Sequence, residues 1–87
     1  MTRTRLSEKD KDDFIIRLVA IFKKVKAEKL KEKYYDYRVK DYRFKIYPSE
    51  HLFVVFYKKD GEPEEKIICN NEDNVVERTE ILVKQLS

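Results

Sequence analysis

Glycine, cysteine and histidine are almost missing from this 87-residue chain, with one of each, and tryptophan is absent. The lone Cys69 excludes a disulfide framework and a thiolate pair for zinc. One histidine and one cysteine cannot close a zinc shell. The Asp and Glu clusters also lack the spacing and glycine of a calcium loop, so no metal is expected. With Gly61 as the only glycine, a phosphate-cradling glycine-rich loop cannot be built, and no cofactor is expected. His51 stands beside Ser49 and Glu50 with no context for a nucleophilic triad, and reads as a surface turn residue. Long hydrophobic runs are missing too. The apolar stretch after Phe14 is broken at Arg17 and ended by Lys23 and Lys24, so neither a signal-peptide core nor a membrane span is expected. The expectation is a soluble, cytoplasmic protein with no catalytic residues.

Charge is abundant instead, at 43% of the chain. From Met1 to Lys59 there are 17 Lys plus Arg against 9 Asp plus Glu, and from Asp60 to Ser87 there are 3 against 8. A basic first two thirds and an acidic tail can present a positive face to a polyanion while total charge stays small. Grouped apolar residues, eleven of them large aromatics, argue for a folded domain over a disordered chain. A chain of this length forms one small domain that buries about 60 to 65% of its unfolded surface.

Periodicity predicts the elements. Phe14, Ile15, Leu18, Val19, Phe22 and Val25 recur at helical steps, and Ser7 is a suitable N-cap, giving a helix over 7–31 whose stripe thins beyond Val25. Residues 1–6 read as a flexible arm. The period then changes to two: Tyr35, Tyr37 and Val39 alternate with Tyr34, Asp36, Arg38 and Lys40, and Tyr42, Phe44 and Ile46 with Arg43, Lys45 and Tyr47. Asp41 between them is either a tight turn or a bulge in one bent strand. Residues 52–57 are apolar on both faces, Asp60-Gly61 signals a hairpin, and residues 66–70 return as a strand. Asn70 to Asp73 cap a final helix over 74–86. The expected fold is α+β: a long N-terminal helix, a three- or four-stranded antiparallel sheet over 34–70, and a C-terminal helix, with both helices on one sheet face.

The candidate functional surface is the other sheet face. Residues 34–59 hold nine of the eleven aromatics with six Lys or Arg between them, and aromatic faces beside cations suit stacked bases and phosphates. The alternation assigns Tyr35, Tyr37, Tyr42 and Phe44 to the core. It leaves Tyr34, Arg38, Lys40, Arg43, Lys45 and Tyr47 to bind RNA or single-stranded DNA. The competing reading is a protein-interaction or inhibitory module, a homodimer or a viral or mobile-element protein, that uses Phe53, Val55 and Tyr57 or their neighbours.

Two resemblances accompany this reading. The segment YRVKDYRFKIYPSEHLFVVFY distantly resembles the central strands of RelE-type toxins, which implies a metal-free ribonuclease using Arg, Lys and Tyr. Here, however, a helix follows the sheet and no matching catalytic set lies near the C-terminus. The order helix, three strands, helix is shared with double-stranded RNA-binding domains and with the Alu-domain subunits of the signal recognition particle. Residues 13–23 and 52–70 resemble the first helix and the second and third strands of the smaller Alu subunit. That resemblance implies RNA binding, yet Glu62-Pro-Glu-Glu65 stands where the family has a basic hairpin followed by Ser and Thr. The last helix opens with Asn74, Val75, Val76 and Glu77, without the lysine-rich motif of double-stranded RNA-binding domains.

Overall fold

In the computed structural model, which describes residues 5–31 and 35–86, Ser7 opens helix α1 (Glu8–Lys24) by accepting a hydrogen bond from the Asp10 amide at 3.1 Å. Such a cap satisfies one of the four donors that a helix start leaves unpaired. The acidic residues Glu8 and Asp10 in the first turn, and Lys23 and Lys24 in the last, match the helix dipole. Just before the helix, the Leu6 amide donates to the Glu50 carbonyl at 2.7 Å, and Arg5 Nη2 meets Glu50 Oε1 at 2.6 Å. Arg5 and Leu6 are thus tied down, whereas Met1 to Thr4 of the expected arm lie outside the described residues.

α1 ends seven residues before the predicted end, at Lys24 rather than Lys31. Lys26 takes the left-handed conformation, φ 57°. The Lys26 amide donates to the Lys23 carbonyl and the Ala27 amide to the Phe22 carbonyl, at 3.1 and 2.9 Å. These bonds form a Schellman closure, and Ala27 and Phe22 both contact the core beneath it. The chain then enters strand β1 (Glu28–Lys31), followed by β2 (Asp36–Val39), β3 (Tyr42–Pro48), β4 (Phe53–Lys59), β5 (Glu65–Cys69) and helix α2 (Glu72–Leu86). Among the described residues the sheet has five strands in the order β1-β2-β3-β4-β5, all antiparallel, one more than the largest number expected. The added strand is β1, whose sequence Glu-Lys-Leu-Lys extends the helix's Lys pattern and hides the change of period. Residues 40 and 41 make a two-residue turn with Lys40 at φ 53°, which resolves the choice between turn and bulge.

One core joins both helices to the sheet. Phe14, Leu18, Ile21 and Phe22 of α1 and Val75, Val76 and Val83 of α2 meet Tyr37, Val39, Phe44, Ile46, Phe53 and Val55. The Phe22 ring stacks on Tyr37 at 4.7 Å and meets Phe44 at 5.4 Å, and Phe14 meets Phe53 at 4.8 Å. Burying each such ring contributes about 1.5 to 3 kcal/mol. Phe53 and Val55 are buried in the cluster shared with both helices, so they face the helices and cannot form the outward patch expected of them. Tyr57 is half-buried against the same core. Because side chains alternate along a strand, the outward residues of β4 are their neighbours Val54, Phe56 and Lys58.

Candidate functional site

The strand residues outside that core form three rows across the sheet. Register places Glu28, Arg38, Arg43 and Lys58 abreast, then Asp36, Lys45, Phe56 and Lys66, then Tyr47, Val54 and Ile68. Four of the six residues expected on this face are therefore there: Arg38, Arg43, Lys45 and Tyr47. Lys40 is exposed in the β2–β3 turn at the rim. Tyr34 lies outside the described residues.

Register also brings in residues that the sequence pattern did not single out: Phe56, Lys58 and Lys66, together with Val54 and Ile68. No period-two signal marks them, since β4 is apolar on both sides and Lys58 and Lys66 flank a loop. Their side of the sheet follows only once Phe53 and Val55 are known to be core.

The centre of the face is aromatic. Tyr47 and Phe56 stand diagonally on adjacent strands with ring centroids 6.2 Å apart and planes tilted by 54°. Tyr47 is 51% exposed and Ile68 41%, while Val54 between their strands is 4% exposed. Around the rings stand the cations. Arg38, Arg43 and Lys58 lie directly across three strands, an arrangement that costs free energy through like-charge repulsion unless counterions relieve it. Two carboxylates do so. Asp60 takes Arg38 through two hydrogen bonds of 3.0 and 3.3 Å, which raises the guanidinium pKa further above its ordinary value. Asp36 accepts one bond of 3.3 Å from Arg43.

Asp36 is itself buried, and its Oδ1 has no hydrogen-bond partner. Among the described residues no ion pair engages Lys45, Lys58 or Lys66. The face thus couples the exposed Tyr47 ring and the half-buried Phe56 ring to three ammonium groups without an ion pair among the described residues, and to two arginines held in place by carboxylates.

At the end of the face near the β4–β5 hairpin, Phe56, Tyr57, Glu64, Glu65 and Lys66 line an open cavity of about 540 Å³. Glu65 is the cross-strand partner of Tyr57, and its carboxylate, with partial burial, raises the phenol pKa above its ordinary value. Among the described residues no group of three or more His, Cys, Asp or Glu could hold a metal ion, and no helix is long and apolar enough to cross a membrane. Comparison of the chain with protein-family models, curated proteins and solved structures finds no match.

Proposed function

We propose that this protein binds single-stranded nucleic acid, RNA or single-stranded DNA, on the sheet face and does so without catalysing a reaction. The observation that carries the reading is the Tyr47–Phe56 ring pair, 6.2 Å apart on adjacent strands, with Lys45 and Lys66 in the row of Phe56. A base stacked on such a ring gains about 1 to 3 kcal/mol, and every base offers a π-face. Lys45, Lys58 and Lys66 are long enough to follow the backbone phosphates on either side of the stacked bases, releasing counterions as they bind. Arg43 and Arg38 extend the positive edge toward Lys40. Fluorescence anisotropy with labelled oligonucleotides of about ten nucleotides tests the reading. Binding is expected at low salt, weaker at high salt, and weaker again in Tyr47→Ala.

A second reading rests on the apolar corner where Tyr47 and Ile68, half exposed, flank Val54. A protein partner or a second copy of the chain could cover that corner, as exposed apolar patches commonly mark protein contacts. Under that reading Ile68→Asp abolishes association detected by light scattering or co-purification, while Lys45→Ala and Lys58→Ala leave it intact.

A further inference from the structure

We infer that the cavity at the β4–β5 hairpin is a base-reading pocket that selects guanine, with Glu64 as the reading residue. The inference rests on the nucleic-acid reading above and adds a sequence preference to it. The cavity, about 540 Å³, is within the roughly 300–1,000 Å³ range of small-molecule sites. It continues the stacking surface, because Phe56 belongs both to the ring pair with Tyr47 and to the cavity wall. A base that follows one stacked on Tyr47 therefore reaches this cavity next.

The polar groups of the wall divide into those already engaged and those available. Glu65 is the cross-strand partner of Tyr57 and is committed to that residue's side of the sheet, opposite the side of Phe56 and Lys66. Among the described residues no hydrogen bond or ion pair engages Glu64, which is exposed, or Lys66, the cross-strand partner of Phe56. The pocket thus offers an aromatic wall, one acceptor-only carboxylate and one donor-only ammonium.

Guanine matches that set. Its N1–H and N2–H donors lie side by side and fit the two oxygens of a carboxylate, and its O6 accepts from an ammonium. Single-stranded recognition typically combines such edge contacts with stacking on an aromatic residue. Adenine and cytosine offer one amino group flanked by an acceptor that a carboxylate would oppose. Uracil offers one imino donor between two carbonyls. A carboxylate therefore distinguishes guanine by pairing both donors at once, and charge-assisted bidentate pairs are the stronger kind.

The test uses the full chain and 10-nucleotide oligonucleotides carrying one guanine in an otherwise uniform background. Matched strands carry inosine, adenine, cytosine or uracil in its place. The guanine strand is expected to bind about tenfold more tightly than the inosine strand, which lacks only the N2 amino group. Glu64→Gln is expected to shrink that ratio to about twofold or less, and Glu65→Gln to leave it largely unchanged. Equal binding of all strands by the native protein overturns the pocket assignment while leaving the nucleic-acid reading in place, and so does a guanine preference that survives Glu64→Gln. Failure of every strand to bind at low salt overturns both.

Discussion

Arg38 and Asp60 form a two-bond ion pair across the sheet rim, with Nη1 to Oδ2 at 3.0 Å and Nη2 to Oδ1 at 3.3 Å. The basic two thirds of the chain and its acidic tail therefore meet at the surface of the sheet, and one arginine of the proposed binding face is held by the residue that begins the tail. Asp60→Ala leaves Arg38 with no carboxylate at this position. Affinity for an oligonucleotide is expected to rise about two- to threefold in that variant, with a steeper salt dependence, as anisotropy titrations would show.

Lys26 occupies the left-handed position of the Schellman closure, where glycine carries no steric penalty. Lys26→Gly is expected to stabilise the fold by up to about 1 kcal/mol, since the native conformation suits glycine better than a residue with a Cβ. Urea denaturation with an unchanged m-value would register this as a higher midpoint.

The same residue explains where the sequence misleads. Helix ends are usually announced by glycine or proline, but the chain has a single glycine, Gly61, in the β4–β5 turn. With lysine at the stop, the helical pattern runs on into Glu28–Lys31, which is strand β1. Where burial enforces alternation the pattern is legible: Tyr37, Val39, Phe44 and Ile46 are buried as period two requires, and Arg43, Lys45 and Tyr47 are exposed; at the start of β2 it fails, with Tyr35, assigned to the core, 40% exposed and Asp36 buried. β4 carries apolar residues on both faces, so its register partners decide which side each residue takes. Only with Phe44 opposite Tyr57 and Ile46 opposite Val55 do Val54 and Phe56 turn outward. Three of the seven residues of the proposed site are therefore not legible in the sequence: Phe56 because β4 is apolar on both sides, and Lys58 and Lys66 because they flank a loop.

Tyr57 provides a pH probe of the cavity wall. The neighbouring Glu65 carboxylate raises the phenol pKa above the ordinary value of about 10. A folded-state pKa raised in this way contributes stability that is fully present below the unfolded value and is lost as pH rises through the folded one. Alkaline titration of phenolate absorbance, with Tyr57→Phe as the reference, is expected to show Tyr57 ionising late. Glu65→Gln should move it back toward ordinary phenol behaviour.

Phe44 is fully buried and meets the rings of Phe22, Tyr42 and Tyr57. Phe44→Ala is expected to cost about 3 to 5 kcal/mol, a large part of the roughly 5 to 15 kcal/mol that holds a small domain. Calorimetry or urea unfolding should find this variant largely unfolded near physiological temperature. Tyr47→Ala, at an exposed position, should unfold close to the native protein, which makes it the cleaner probe of function.

The most direct measurement is an anisotropy titration of a single-stranded oligonucleotide at several salt concentrations, comparing the native protein with Tyr47→Ala and with the combined Lys45→Ala, Lys58→Ala and Lys66→Ala variant. The sheet-face account predicts a linear fall of log affinity with log salt. Removing the three lysines should lower that slope by about 2, at roughly 0.7 per phosphate contact. Tyr47→Ala should lose about five- to 150-fold in affinity at an unchanged slope, equivalent to about 1 to 3 kcal/mol of stacking. No binding at low salt, or binding that neither variant alters, contradicts it.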